Sequence, residues 1–335
     1  MRRHISFLLA VIIITLFTLS AAAETKLVII GDSTVQTYGP ERDVRGWGQY
    51  FDELFEDSVE TVNLAKSGRS TKTFINEGLW EKALAEKGDY ILIQFAHNDS
   101  HAPDRPESTD AETDYSDYLR KYIDEARAAG AEPVLVTPMH RRLFKNGILT
   151  QELAPYANAM KAVAAEKNVK LIDLYHSSGM LLSGRGDDGS EGLYVSAKDR
   201  THFGETGARL MAWLVAKEIG ETIPELAAHL KEGAGKMLRH VVLFSFKEGT
   251  TEEQLKVVED AFAALPGHIP AIYDFEFGTN VSPENIARGY SHCFFLTFLS
   301  DSGRAVYLPH PEHKAFGKTL RTCMEQVLVV DYFQK

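Results

Sequence analysis

The sequence predicts two domains, a three-layer α/β/α sandwich around a five-stranded parallel sheet and then a smaller α+β domain. From residue 26 to about 220, apolar runs of strand length alternate with helical patterns, which is typical of a parallel sheet with crossover helices. A Gly-Ala-Gly-Lys segment at 233–236 then interrupts the alternation as a linker would. Beyond it, about a hundred residues follow a β-α-β-β-α-β order, which is ferredoxin-like.

The strands of the first domain are predicted from its apolar runs at 27–30, 61–64, 90–95, 133–137 and 169–174. Between the first two strands, four apolar residues recur at helical spacing: Trp47, Phe51, Leu54 and Phe55. Later helices are predicted over 118–129, before Gly130, and over 205–219, with Gly220 as the C-cap. Ligands of such sheets bind at the carboxyl ends of the strands, so we expect a functional site there.

The second domain is predicted from strands at 238–246, 271–277, 293–298 and 326–332 and from helices at 251–265 and about 304–323. The predicted limits are 24–232 for the first domain, 233–236 for the linker and 237–335 for the second domain. Cys293 and Cys323 both lie in the second domain. We expect two buried thiols there, with a disulfide as the alternative in an exported chain.

The first 23 residues are predicted to be a signal peptide. Arg2 and Arg3 precede an apolar run at 5–19, and the small residues at 20–23 resemble a cleavage site before Glu24. A single membrane anchor is the alternative, but the small residues end the apolar run abruptly. We therefore expect a periplasmic or secreted protein with no stable membrane insertion after cleavage. The net charge of −11 argues against nucleic acid as a partner.

The most informative motif is Gly31-Asp-Ser-Thr34, directly after the first apolar strand. A strand that ends in glycine and delivers a serine to a turn can present a nucleophile. The backbone N–H groups that follow face the place where negative charge would develop. The tetrapeptide alone is weak evidence for a nucleophile, because all four residue types are common in turns.

Three further elements supply the partners that a serine nucleophile needs. In Asp199-x-x-His202, the acid can bind Nδ1–H of the histidine and leave Nε2 free for the Ser33 proton. Gly68 and Asn98 follow the second and third strands, and with the Ser33 N–H they would form an oxyanion hole. Each feature alone could be a helix cap, a turn glycine or an Asx-turn. Together they predict acyl transfer that needs neither a metal nor a cofactor.

These motifs resemble the four sequence blocks of the SGNH (GDSL-like) hydrolases. Ser67-Gly-Arg-Ser70, His97-Asn-Asp99 and Asp199-x-Thr-His-Phe203 further resemble rhamnogalacturonan acetylesterases, over about 26–220. The resemblance implies a flavodoxin-like sandwich in which Ser33 is the nucleophile, His202 the base and Asp199 its orienting acid. It also implies an oxyanion hole of Ser33, Gly68 and Asn98. Ala96 departs from the pattern, because these esterases often carry glycine there.

The substrate implied by this resemblance is an acetylated plant cell-wall polysaccharide, with pectic rhamnogalacturonan first and xylan second. The residues themselves indicate only a small-acyl ester. Arg141 and Arg142 follow the fourth strand and are predicted to meet uronate carboxylates, with solvated surface arginines as the alternative. Two other functions stay open: a lipase or thioesterase on the same triad, and a non-catalytic carbohydrate-binding protein. The other histidines of this region are interpreted as lining or structural: His97, His101, His140 and His176.

The second domain resembles the Dabb (stress-responsive A/B barrel) family. Arg239-His240, Gly289-Tyr-Ser-His292 and Tyr307-Leu-Pro-His310-Pro-Glu-His313 carry the resemblance over about 237–335. It implies a dimeric α+β barrel, and it places His240 and His310 where cyclase relatives have site residues. A turn at His310-Pro and a buried structural His240 are the alternatives, so we expect assembly rather than a second active site. A metal pair of His310 and His313 lacks companion ligands.

Overall fold

A five-stranded parallel sheet forms the centre of the first domain in the computed structural model, which describes residues 25–269 and 271–335. Its strands are β1 (Thr25–Gly31), β2 (Val59–Asn63), β3 (Tyr90–Gln94), β4 (Glu132–Val136) and β5 (Lys170–Ile172). Their order, β2-β1-β3-β4-β5, is flavodoxin-like and has its switch point between β1 and β3. The predicted sandwich is confirmed. The predicted signal peptide, 1–23, lies outside the described residues.

Helices cover both faces of this sheet. The face that carries Val28 and Ile30 packs against α1 (Thr71–Asn76), α2 (Leu79–Ala85), α3 (Ser116–Ala128) and α4 (Ala154–Lys167). The face that carries Leu27 and Ile29 packs against α5 (Leu174–Ser190) and α6 (Glu205–Thr222). Since side chains alternate between the faces of a strand, burial on both sides requires the unbroken apolar run of β1. A short helix, α7 (Pro224–Ala227), follows α6.

Shorter elements complete the first domain. The predicted helical segment between β1 and β2 forms two 3-10 turns, Trp47–Tyr50 and Asp52–Leu54, and its four apolar residues are buried. The domain also has a 3-10 turn at Glu191–Leu193 and a π-helical turn at Ala111–Tyr115. A small hairpin is formed by Phe144–Lys145 and Ile148–Leu149. The prediction of a C-cap at Gly220 is wrong, because α6 continues through Thr222. Ile219 and Ile223 are both buried in the core, and this packing stabilises the extra turn.

The second domain is an antiparallel sheet with helices on one face. Its elements are β6 (Leu238–Phe246), α8 (Glu252–Ala263), α9 (Leu265–His268), β7 (Asp274–Thr279), β8 (His292–Phe298), α10 (Asp301–Tyr307), α11 (Pro311–Arg321) and β9 (Met324–Phe333). The strand order is β9-β6-β8-β7, which confirms the ferredoxin-like prediction. Cys293 is half-buried and Cys323 is buried, and both are free thiols.

The segment 233–236, predicted as a linker, is a tight turn packed between the domains. A Cβ atom on Gly235, whose φ is +71°, would lie 2.7 Å from Cα of Lys217 in α6. Met237, Tyr273 and Leu299 from the C-terminal side of this turn pack against the core of the first domain. The turn therefore docks the two domains rather than separating them. Within the described residues, no helix has both the length and the apolar character needed to cross a bilayer.

Candidate active site

The candidate nucleophile lies in a turn at the carboxyl end of β1. Gly31 is required there, because a Cβ atom would lie 2.7 Å from the Gln94 carbonyl oxygen on β3. The Asp32 carboxylate accepts hydrogen bonds from the Thr34 backbone N–H (2.9 Å) and hydroxyl (2.7 Å). The Tyr38 hydroxyl donates to the Ser33 carbonyl oxygen at 2.8 Å. These bonds hold both sides of Ser33 and therefore fix the direction of its side chain.

The structure brings together Ser33, His202 and Asp199. His202 Nε2 lies 3.0 Å from Ser33 Oγ, and His202 Nδ1 lies 3.0 Å from Asp199 Oδ2. The other oxygen, Oδ1, accepts the backbone N–H groups of Thr201 and His202 at 2.8 Å each. Burial raises the pKa of Asp199, but these N–H groups and the imidazole outweigh burial, so the pKa is lowered overall. An ionised Asp199 fixes the tautomer in which His202 Nε2 can accept the serine proton.

The two predicted oxyanion-hole residues lie in different loops, which a hydrogen bond joins. Gly68 has φ +79°, a backbone conformation that favours glycine, and a Cβ atom there would meet no other atom within 4 Å. Asn98 Nδ2 donates to the carbonyl oxygen of Arg69, the residue after Gly68, at 3.0 Å. One amide hydrogen is thereby used, and the second stays available for a ligand. The loop that carries Gly68 is held to the end of β1, since Lys66 N–H donates to the Gly31 carbonyl oxygen at 2.9 Å.

The buried carboxyl group of Asp99 stabilises the loop that carries Gly68. Asp99 accepts from the Thr71 backbone N–H (3.1 Å), the Thr71 hydroxyl (2.5 Å) and the Thr109 hydroxyl (3.0 Å). Thr71 begins α1, directly after the Gly68 loop, so Asp99 ties that loop to the Asn98 loop. Burial raises the pKa of Asp99 to about 7, although the hydroxyl and N–H donors oppose the rise.

The two predicted substrate-binding arginines have different surroundings. Arg142 is 1% exposed, and its guanidinium donates to the Ala197 carbonyl oxygen (2.6 Å) and lies 3.4 Å from the Asp187 carboxylate. The prediction that Arg142 contacts a polymer is wrong for this reason, because the side chain instead braces the segment that leads to Asp199. Arg141 is half-buried and donates to the His97 carbonyl oxygen at 2.7 Å.

The second-domain histidines form a separate cluster. His240 Nδ1 lies 2.6 Å from Asp331, whose other oxygen pairs with Arg304 at 2.5 Å. The ring of Tyr307 lies 4.2 Å from that of His313 and 5.8 Å from that of His240. His310 instead caps α11, where its Nδ1 accepts the Glu312 N–H at 3.2 Å. Among the described residues, no group of three or more His, Cys, Asp or Glu side chains could hold a metal ion.

A sheet of this order with a Ser-His-Asp constellation at its strand ends has the arrangement found in serine hydrolases of the α/β/α class. The chain belongs to the GDSL-like lipase/acylhydrolase family, which matches residues 29–210, and it is a carboxylic ester hydrolase. Residues 238–334 match the Stress responsive A/B Barrel Domain family (Dabb). Both family predictions are confirmed.

Individual similar proteins cover the two domains separately. The "Probable rhamnogalacturonan acetylesterase YesY" of Bacillus subtilis (strain 168) is 39% identical over 213 residues, which are 62% of this chain and 98% of that protein. The "Stress-response A/B barrel domain-containing protein HS1" of Arabidopsis thaliana is 37% identical over 101 residues, 30% of this chain and 93% of that protein. A crystal structure of YXIM from Bacillus subtilis has a TM-score of 0.54 at 28% identity and covers 59% of this chain and 56% of that one.

Proposed function

We propose that this protein is an exported acetylesterase that removes acetyl groups from plant cell-wall polysaccharide, rhamnogalacturonan first and xylan second. The observation that carries the proposal is the chain of contacts from Ser33 Oγ through His202 to Asp199, at 3.0 Å for each step. The polysaccharide is suggested by the name of the YesY relative. Export is suggested by the signal sequence, and cleavage before Glu24 in the secreted protein would test it.

The reaction follows from the positions of these atoms. Ser33 Oγ attacks the acetyl carbonyl carbon while His202 Nε2 takes the serine proton. The carbonyl oxygen gains negative charge, which the N–H groups of Ser33 and Gly68 and the Asn98 amide stabilise. The bond between the acyl carbon and the sugar oxygen then breaks, and His202 gives the proton to that leaving oxygen, which becomes a free sugar hydroxyl. A water molecule, deprotonated by His202, then attacks the acyl carbon, the bond to Ser33 Oγ breaks, and His202 gives the proton to Ser33 Oγ as acetate leaves.

The decisive experiment measures acetate release from acetylated rhamnogalacturonan, acetylated xylan and 4-nitrophenyl acetate. Ser33→Ala is compared with Ser58→Ala, which changes an exposed serine before β2. We expect Ser33→Ala to abolish release and Ser58→Ala to retain it, with rhamnogalacturonan the better polymer. A preference for long-chain 4-nitrophenyl esters would favour a lipase or thioesterase. No release from any substrate and no labelling of Ser33 by a serine-reactive phosphonate would favour a carbohydrate-binding protein.

Arg141 is the remaining arginine that we propose for contact with uronate carboxylates. It follows β4 and is half-buried, and one of its guanidinium nitrogens donates to the His97 carbonyl oxygen. Arg141→Lys keeps the charge and Arg141→Met removes it. A higher KM for acetylated rhamnogalacturonan in Arg141→Met alone, with an unchanged KM for neutral 4-nitrophenyl acetate, is the expected result. An equal change for both substrates would contradict this role.

For the second domain we propose homodimerisation through its open sheet face, which lies opposite α8 and α11. Leu328, Val330 and Tyr332 of β9 are 42–48% exposed, and Leu328 and Val330 pair in register with Leu243 and Val241 of β6. An apolar sheet face of this kind is typical of a protein interface. A dimer would carry two esterase domains and so increase avidity for a polymer. Ligand binding beside the buried His240–Asp331 pair is the second candidate role.

A further inference from the structure

A row of buried side chains below Ser33 has hydrogen-bond directions that can be assigned one after another. Trp47 Nε1–H can only donate, so Gln94 Oε1 accepts it at 2.8 Å. Gln94 Nε2 must then be the donor to Thr34 Oγ1, also at 2.8 Å. The Thr34 hydroxyl gives its own hydrogen to Asp32 Oδ1 at 2.7 Å. Oδ1 therefore accepts two bonds, from this hydroxyl and from the Thr34 N–H, as an ionised carboxylate does.

The last member of the row is His97, and both of its ring nitrogens face acceptors. Nδ1 lies 3.2 Å from Asp32 Oδ2, and Nε2 lies 3.1 Å from the Met139 carbonyl oxygen. A carbonyl oxygen cannot donate, so Nε2 must carry a hydrogen. The proton between Nδ1 and Oδ2 belongs to the histidine if Asp32 is ionised. Both side chains are 2% exposed or less, so water does not substitute for either partner.

We propose that His97 is a positioning residue that carries hydrogens on both ring nitrogens and forms a buried, neutral ion pair with Asp32 beneath the nucleophile. The inference rests on the ester hydrolysis described above, in which negative charge develops beside the Ser33 N–H. Asp32 precedes Ser33 directly, and an unpaired carboxylate in this low-dielectric place would oppose that charge. His97 cancels the carboxylate while Asp32 holds the turn through Thr34.

The electrostatics of Asp32 agree with this pair. Burial raises the pKa of Asp32. The charge and hydrogen bond of His97 and the Thr34 donors outweigh burial, so the pKa of Asp32 is lowered overall. The backbone of His97 is held as well, because Arg141 donates to its carbonyl oxygen at 2.7 Å. The next residue is Asn98, so the same loop carries the counter-ion of Asp32 and a candidate oxyanion donor.

The first measurement is made on the wild-type protein, with His97→Gln as the variant that assigns the signals. Long-range ¹H–¹⁵N spectra of ¹⁵N-histidine-labelled protein at pH 8 report hydrogens on each ring nitrogen, at a pH where an ordinary histidine is neutral. We expect one histidine with two nitrogen-bound hydrogens, and its signals should be absent in His97→Gln. A His97 ring with a single hydrogen at this pH would overturn the proposal. This readout does not depend on activity, so it is independent of the proposed function.

The second measurement is a double-mutant cycle on 4-nitrophenyl acetate. We expect His97→Gln to lower kcat by roughly 10²-fold with KM unchanged, since His97 does not touch the substrate. Asp32→Asn in the same chain removes the unpaired charge and should restore kcat at least tenfold over the single variant, as coupled residues do. Additive losses in the double variant would overturn the proposal, because a role in packing alone predicts no rescue. This double-mutant cycle depends on the proposed function, so it is made once the wild-type protein has been shown to hydrolyse the ester and Ser33→Ala has been shown not to.

Discussion

The two sheets of this protein differ in how their faces are covered. Helices pack on both faces of the five-stranded parallel sheet. On β1, the residues of one face (Leu27 and Ile29) and of the other (Val28 and Ile30) are all 0% exposed. The antiparallel sheet has helices on one face, while Leu328, Val330 and Tyr332 of β9 are exposed on the other. The first domain thus covers both faces of its own sheet with its own helices. The second domain leaves apolar surface that a partner could bury.

The two histidine–carboxylate pairs also differ in how much of the histidine side chain is exposed to solvent. His202 is about one-third exposed, and its second ring nitrogen meets Ser33 Oγ at 3.0 Å. The His240 side chain is 7% exposed, its partner Asp331 is shared with Arg304, and the rings of Phe298 and Tyr307 lie beside the imidazole. Of the two pairs, the one at His202 adjoins a serine hydroxyl and is open to solvent, as the proposed role of catalytic base requires.

The largest expected effect separates these two pairs. We expect Asp199→Asn to lower kcat for acetate release by about 10⁴-fold, because the amide favours the wrong imidazole tautomer. Asp331→Asn makes the same chemical change in the second domain and should leave kcat within twofold. Steady-state rates on 4-nitrophenyl acetate check both variants. Equal losses in the two variants would mean that the second domain takes part in the reaction.

The next effect concerns the open sheet face. Leu328→Asp places a charge on this face and should weaken self-association by at least about 10³-fold, since the charge would be buried in two symmetric copies. The control is Val257→Asp, which changes an exposed valine of α8 on the opposite side of the domain. Light scattering after size exclusion should give a halved mass for Leu328→Asp alone. A wild-type protein that is already monomeric at micromolar concentration would contradict dimerisation.

Much of this organisation could be predicted from local sequence patterns. The strands of the first sheet are recognisable in the sequence as apolar runs. The motif residues follow β1, β2 and β3, and they can be expected to lie close together because parallel strands bring their carboxyl ends to one edge. Asp199 and His202 are also close in sequence, so their pairing needs only one turn of chain. Helix α3 could be predicted in the same way, since its buried Leu119, Tyr122 and Ala126 follow helical spacing.

The contacts that could not be predicted join residues distant in sequence. Arg141 and Arg142 are neighbours, and only the segment 45–55 residues further on, at Asp187 and Ala197, determines that Arg142 is buried. The pair of His97 with Asp32 spans 65 residues in the same way. A charged side chain in a motif is ambiguous until the fold shows whether its partner is solvent, substrate or another buried group.

A smaller effect is expected in the pH dependence of stability, through Asp99. Its pKa is about 7 in the folded protein against an ordinary value of 3.8, so the native state holds the proton more tightly than the unfolded chain. Stability from this group is full below about pH 4 and falls as the pH rises to about 7, by up to about 4 kcal/mol. Urea unfolding at pH 4.5 and 8 should show a flatter dependence in Asp99→Asn than in the wild type. The exposed control, Asp117→Asn, should keep the wild-type slope, and an unchanged slope in Asp99→Asn would contradict the prediction.

The smallest expected effect concerns Ala96, at a position where the resemblance described in the sequence analysis implies glycine. Ala96 is fully buried with φ +136°, a conformation that favours glycine, and such strain costs about 1–3 kcal/mol. Ala96→Gly relieves the strain but loses a buried methyl group, about 0.8 kcal/mol, and gains about 0.5–1 kcal/mol of unfolded-state entropy. We therefore expect its unfolding free energy to lie between about 1 kcal/mol below and about 2 kcal/mol above that of the wild type. Ala126→Gly, equally buried but in the regular helix α3, relieves no strain and should lose about 2 kcal/mol. Equal losses at the two positions in urea unfolding would show that the Ala96 backbone is unstrained.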